Sequence, residues 1–290
     1  MSQLAQVASV TDTGRRRRHN EDAYVCEPPL FAVADGMGGA QAGELASNLA
    51  AAALHDEGSR GGGEERVDEL IQEANRRVYE RQTQDSSAQG MGTTMTVALV
   101  EDGHVAIGHV GDSRAYLIRD RRLEQLTEDH SLVAELVRSG KLSPEEAEGH
   151  PQRSVITRAL GTDPDVDVDT FTVEGHNGDV FVLCSDGLTD MVADDEIGAV
   201  LAERRVSLED AANELVRRAN KAGGQDNITV VAFELTDEPD EVTLEQTVEQ
   251  AAVPLAPDPK RRGGRRFLPL LILLVAIAVA AIVLWVLVQR

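Results

Sequence analysis

TTMTVALVEDGHVAIGHVGDSRAYLIRD, residues 93–120, decides the fold. It holds three short β-rich runs, 93–100, 104–110 and 114–119, with no room for a helix between them. Glu101-Asp-Gly103 and Asp120-Arg121 read as hairpin turns, which join strands that run antiparallel. Further strands are predicted at 31–34 (FAVA), 180–185 (VFVLCS) and 228–235 (ITVVAFEL).

The helical segments lie apart from these runs. Ala42, Leu45, Ala46, Leu49, Ala50, Ala53 and Leu54 form an apolar stripe at helical spacing, and Val67, Leu70, Ile71, Ala74 and Val78 form a second. Leu208, Ala211, Ala212, Leu215, Val216 and Ala219 give a third, stopped by Gly223 and Gly224. A shorter helix covers Leu132 to Val137, and Ser143, Pro144 and Glu146 resemble a helix start with a capping box. Helices that come in pairs, not one between every two strands, argue against a doubly wound parallel sheet. The predicted class is α+β, with antiparallel sheets and helices packed outside them.

Charge divides the chain. It has 28 basic and 50 acidic residues, net −22, and six of the basic ones lie after position 259, where there is no acid. Residues 1–259 therefore hold 22 basic against 50 acidic residues, net −28. A body so negative repels nucleic acid, so no nucleic-acid partner is expected. Phe267–Val288 is 22 uncharged, apolar residues, about 33 Å as a helix and long enough to span a bilayer. Five basic residues at 260–266 precede it and only Arg290 follows, which places the N-terminal body in the cytoplasm of a single-pass cell-membrane protein. The expected organisation is a single domain at 1–235, an acidic tether at 236–259, a basic juxtamembrane segment at 260–266 and a transmembrane helix at 267–288. Cys26 and Cys184, in or beside apolar runs, read as small buried hydrophobes of a reducing compartment.

Five aspartates flank the strands. Asp22 precedes AYV, Asp35 follows FAVA, Asp112 lies between two strands, Asp186 follows VFVLCS, and Asp226 precedes ITVVAF. A single Asp-Gly is usually a turn. Five carboxylates gathered at one sheet edge would repel one another, and a divalent cation relieves that repulsion. All-oxygen ligands without His or Cys suit Mg²⁺ or Mn²⁺ better than Zn²⁺.

The ordered blocks GRRRRHNEDA (14–23), VADGMGGAQAGELAS (33–47), MGTTMTV (91–97), GHVGDSRAYL (108–117), LTEDHS (126–131), RALG (158–161), CSDGLTDMV (184–192) and GGQDNITVV (223–231) resemble the protein phosphatase type 2C family, the metal-dependent protein phosphatases, in its bacterial branch. The resemblance implies two packed antiparallel sheets flanked by helix pairs, with a dinuclear Mn²⁺ or Mg²⁺ centre at one end of the sandwich. It implies Asp35 as the carboxylate bridging both ions, the Gly36 carbonyl as a ligand to one, Asp186 and Asp226 as further ligands, and Asp22 as one acting directly or through water. Asp112 then matches the ligand of a third, weaker metal, and Glu21 and Asn227 support the centre from behind. Arg17 matches the phosphate-binding arginine; Arg15, Arg16 and Arg18 remain surface charges. Residues 140–157 resemble the flap beside the active site, where Arg153 and Ser154 are substrate contacts or simply part of a surface loop.

The implied reaction is hydrolysis of phosphoserine and phosphothreonine in proteins by a water that bridges the metals, in opposition to serine/threonine kinases. The implied partners are phosphorylated proteins, membrane-bound serine/threonine kinases among them, and the catalytic domain is expected to be monomeric. Met37 stands where many eukaryotic members have a His proposed to protonate the leaving alcohol, and Met cannot donate a proton. His19 and His130 receive no role. A non-catalytic phosphopeptide-binding module would need a broken carboxylate set, and all five are present; a metal-dependent nuclease conflicts with the charge of −28.

Overall fold

A computed structural model describes residues 3–38, 41–57, 61–203 and 206–237. The chain divides into two units, Met1–Thr243 and Leu244–Arg290, and every described residue lies in the first. The predicted membrane helix, the basic segment before it and nearly all of the tether lie outside the described residues. Among the described residues no helix is long and apolar enough to cross a membrane.

Strands β1 (Gln3–Asp12), β2 (Asp22–Glu27) and β3 (Leu30–Met37) precede the helix pair α1 (Ala42–Glu57) and α2 (Gly63–Gln84). Then come β4 (Gly92–Thr93), β5 (Met95–Glu101), β6 (His104–Val110), β7 (Arg114–Arg119) and β8 (Arg122–Gln125). Helices α3 (Leu132–Arg138) and α4 (Pro144–Glu148) lead to β9 (Asp169–Glu174) and β10 (Val180–Cys184). The short α5 (Asp186–Thr189), α6 (Asp194–Leu201) and α7 (Leu208–Ala222) precede β11 (Ile228–Thr236). β11 thus runs one residue into the segment read as a tether.

The strands form two sheets, ordered β1-β11-β10-β7-β8 and β2-β3-β5-β6-β9, with β4 paired to β3. Every pairing among the described strands is antiparallel. The two predicted hairpins close where expected. Asp102 and Gly103 between β5 and β6, and Asp120 and Arg121 between β7 and β8, all have positive φ, the geometry that matches strand twist in a two-residue hairpin. The third junction in 93–120 does something else. β6 and β7 belong to different sheets, so Gly111-Asp112-Ser113 carries the chain from one to the other.

Burial explains the apolar runs. Phe31 and Val33 point between the sheets and meet Phe181, Leu183, Val231 and Phe233. Ala32 and Ala34 point the other way, under Leu54, Leu70 and Ile71 of α1 and α2. On the second sheet Val182, Val230 and Ala232 pack beneath Ile197 of α6 and Leu215 of α7. Both faces of each sheet are covered, so the central strands read as continuous apolar segments without alternation. Four layers, helix pair, sheet, sheet and helix pair, enclose three cores, as expected. Cys184 sits in the core under α7, and burial pushes its thiol up to about 12, which removes it as a nucleophile.

Local signals end the helices where they were read. Ser207 accepts from Asp210 N at 3.1 Å to start α7, and Gly223 (φ 143°) and Gly224 (φ 49°) close it. Ser143 and Glu146 form the capping box of α4 reciprocally, at 3.2 and 2.8 Å.

Candidate metal centre

Strand geometry delivers the aspartates. Asp22 opens β2 and lies directly opposite Asp35 on β3. Like charges in that register repel, so the fold must hold both against their own field. The Asp35 main chain is fixed on both sides: its N–H donates to Thr94 Oγ1 (2.9 Å), and its carbonyl accepts from Thr94 N (2.9 Å) and Thr93 Oγ1 (2.8 Å). One oxygen of Asp22, Oδ2, accepts from Thr229 Oγ1 (2.6 Å) and Ser185 Oγ (2.8 Å). Asp186 is the first residue of α5, immediately after β10, and Asp226 stands two residues before β11.

Three buried carboxylate oxygens, Asp22 Oδ1, Asp112 Oδ1 and Asp186 Oδ1, have no hydrogen-bond partner among the described residues. Such atoms are costly unless something positive meets them. Burial, with Asp22, Asp186, Asp112 and Asp226 nearby, raises the Asp35 carboxyl well above the usual range. Asp186 is raised in the same way, by burial and by Asp112 and Asp226. Burial lifts Asp22 to about 6, against the hydrogen bonds from Thr229 and Ser185; burial and Asp129 lift Asp112 to about 6. Among the described residues no three His, Cys, Asp or Glu side chains close around one ion position. The carboxylates share one end of the sandwich as separate hard oxygen donors. Their orphaned oxygens and mutual repulsion fit divalent cations held by oxygen.

A cavity of about 380 Å³ opens over them. It is lined by Asp35, Gly36, Asp186 and Asp226, by Arg17 and Glu21 from the arginine-rich loop, and by Arg153 and Ser154 from the segment after α4. The flap residues therefore do reach the site. Asp22 and Asp112 lie outside its lining, Asp22 behind Asp35 in the sheet and Asp112 at the crossing between sheets. Met37 lines the cavity and brings no proton to it.

Arg17 is half-exposed and reaches across the cavity, with Nη2 2.6 Å from Asp226 Oδ2 and Nη1 3.9 Å from Glu21. Asn227 holds the loop that carries it. Its Nδ2 donates to Thr13 O (2.9 Å) and His19 O (3.0 Å), and its Oδ1 accepts from Glu21 N (2.7 Å). His130 is a structural residue: its Nδ1 accepts from Gly111 N at 3.0 Å and its Nε2 faces Asp169 at 3.1 Å.

Sequence reading passed over Asp190, which lines the cavity and pairs with Arg153 at 3.3 Å. It sits four residues after Asp186, a spacing that one helical turn brings to the same face. The hydroxyls of Ser185 and Thr229 that orient Asp22 were also missed; each stands beside or near a quoted aspartate and gives no signal alone.

The raised carboxyls make a prediction with a definite sign. Asp112 has a folded pKa of about 6 against an ordinary 3.8, so the native state holds this proton more tightly than the unfolded chain. Stability from this group is lost as pH rises between those values. In chelator, Asp112→Asn is therefore expected to be more stable than the parent at pH 7.5, by up to about 3 kcal/mol, with the advantage gone near pH 4. Urea denaturation at the two pH values measures it; a variant no more stable at pH 7.5 would contradict the repulsion.

Residues 15–230 match the family model described as Protein phosphatase 2C. The chain belongs to the protein phosphatase 2C family. It is 43% identical over 236 residues to the serine/threonine phosphatase stp of Listeria welshimeri, covering 77% of this chain and 93% of that one. Its fold matches the crystal structure of the Mycobacterium tuberculosis serine/threonine phosphatase PstP/Ppp with a TM-score of 0.75 and 39% identity, over 80% of this chain and 98% of that one. It also matches the catalytic domain of PstP in complex with two manganese ions, at TM-score 0.73 and 36% identity, over the same shares. The two antiparallel sheets with their helices are the fold of this 2C family.

Proposed function

We propose that this chain is a metal-dependent protein phosphatase that hydrolyses phosphoserine and phosphothreonine in proteins, with Mn²⁺ or Mg²⁺ at the end of the sandwich. The observation that carries this reading is the set of buried, partly unpartnered aspartates beside a cavity that also holds the half-exposed Arg17, paired with Asp226. Asp22, Asp35, the Gly36 carbonyl, Asp186 and Asp226 would hold two ions, and Asp112 would serve a third, weaker one. When bound, these cations supply an acidified water and neutralise charge on the phosphoryl group.

The chain's own residues do the rest. Arg17 offers a planar fork to two phosphoryl oxygens, and its half-exposed side chain can turn from Asp226 toward the substrate. Asn227 and Glu21 keep the Arg17 loop against the carboxylates. Arg153 and Ser154 border the cavity where the peptide around the phosphoresidue must pass. Phosphate release from a phosphothreonine peptide tests the reading: the full chain should turn over with Mn²⁺ and stop in chelator. Equal rates in both conditions would sink it.

The partners we propose are phosphorylated proteins, including membrane-bound serine/threonine kinases. Residues 267–288 anchor the chain as a single-pass protein of the cell membrane, the acidic segment after β11 is the tether that leads to them, and the basic residues at 260–266 keep the catalytic domain cytoplasmic. Deleting residues 267–290 is expected to move the protein from the membrane to the soluble fraction on cell fractionation. A full chain already soluble without detergent would contradict the anchor.

A further inference from the structure

The loop that places Arg17 at the cavity carries three more arginines. Arg15, Arg16 and Arg18 are all exposed, and among the described residues no carboxylate pairs with them. This is unusual for a chain with 50 acidic residues. On α2 and α7, Arg76, Arg77, Arg217 and Arg218 each find a glutamate within 2.8 Å.

The loop is also held still. Gly14 (φ 79°) donates to Asp12 Oδ1 at 2.8 Å, Arg15 N and Arg16 N donate to Gly224 O at 2.7 and 3.2 Å, and Asn20 Nδ2 donates to Thr11 Oγ1 at 2.7 Å. Together with the Asn227 contacts, these bonds fix both ends of the loop while Arg15, Arg16 and Arg18 stay exposed. A rigid loop presents such groups at lower entropic cost than a mobile one.

The surroundings decide what the patch selects. Of these arginines only Arg17 lines the cavity. The rest of the domain repels anions at long range, but screening limits that field to about 8–10 Å at ordinary salt, so Arg15, Arg16 and Arg18 set the field close to the loop that carries Arg17. An extended peptide advances about 3.3–3.6 Å per residue, so groups two to four residues from the reacting one lie about 7–14 Å along it, on the scale of the loop beside Arg17. Guanidinium is matched to carboxylate and phosphate as a two-pronged donor.

We propose that Arg15, Arg16 and Arg18 select phosphorylated protein segments bearing further negative charge, a second phosphate or Asp and Glu, within about four residues of the reacting phosphate. This rests on the phosphatase reading of the cavity and names its substrate class.

The test uses the full chain and two non-hydrolysable phosphonothreonine peptides of equal length, one flanked by Asp and Glu and one by Ser and Gln. Fluorescence anisotropy gives their affinities at 50 and 300 mM salt for the parent and for the combined Arg15→Gln, Arg16→Gln, Arg18→Gln variant. The parent should prefer the acidic peptide by about tenfold at low salt, less at high salt, and the variant by less than about twofold at either. Equal affinities in the parent, or a preference that survives in the variant, overturn the proposal. So does a variant that keeps the peptide preference but adheres less than the parent to phosphatidylserine vesicles, with adhesion to phosphatidylcholine vesicles unchanged, which would make the patch a lipid contact. Mn²⁺-dependent hydrolysis of p-nitrophenyl phosphate by the parent is read alongside. Its absence would defeat the phosphatase reading, while the affinity ratio still judges the arginines.

Discussion

Asp35→Asn is expected to lower Mn²⁺-dependent phosphate release by about 10³-fold or more, while leaving the protein in chelator at least as stable as the parent. The two halves of this result have one cause. Asn keeps the shape, and the Asp35 backbone stays bonded to Thr93 and Thr94 whatever the side chain. What changes is one negative charge in a buried group facing Asp22, Asp186, Asp112 and Asp226. Without cations that charge opposes folding; with them it is the attraction that holds two ions. Phosphate release and thermal unfolding in EDTA, measured on one preparation, separate the alternatives. Activity and chelator stability falling together would make Asp35 a residue of the fold and not of the site.

Phe233→Ala is expected to have the largest effect on stability. Phe233 is fully buried between the sheets, stacked on Phe31 at 4.2 Å and on Phe181 at 5.1 Å. It joins β3 of one sheet to β10 and β11 of the other, so truncation opens a void where the layers meet. Such changes cost about 3–5 kcal/mol, with the lost ring contacts included. For a domain of this size the thermal midpoint should fall by about 6–20 °C. Phe233 lies seven residues along the chain from Asp226, about 23 Å of strand, so turnover per folded molecule at 25 °C should be nearly unchanged. A midpoint within about 3 °C of the parent would show that the inter-sheet core is not the principal support.

The central strands were legible because both of their faces are covered. FAVA, VFVLC and ITVVAFEL each send alternate residues into different cores, and an unbroken apolar run is the trace this leaves. The Asp102-Gly103 and Asp120-Arg121 turns were legible from their residue types and neighbours. β1 was not, because a register shift between Leu4 and Gln6 breaks its alternation. β8 and β9 are edge strands with half-exposed residues, and their apolar signal is weak. The destination of β7 was hidden as well. Gly111-Asp112-Ser113 has the length of a turn, and only tertiary pairing sends the next strand to the other sheet.

The site was readable in a similar mixture. Asp35, Asp186 and Asp226 stand at strand ends, and that much is visible in the chain. Their convergence depends on two sheets meeting at one end, which entered through family resemblance and not through spacing. The Arg17 loop needed the fold to make sense of it. Asn227, far along the chain, ties Thr13, His19 and Glu21 into place, and the loop so held sets Arg17 at the cavity. Asp190 went unnoticed because a four-residue helix leaves no periodicity to read.

Calorimetric titration of the full chain with Mn²⁺ at pH 7.5 is the most direct measurement of the central claim, that these aspartates cradle divalent ions. The parent is expected to take up at least two ions, releasing protons as the raised carboxyls ionise, and Asp226→Ala is expected to lose part of that uptake. A parent that shows no Mn²⁺ binding, yet frees phosphate from a phosphothreonine peptide undiminished in chelator, would contradict it.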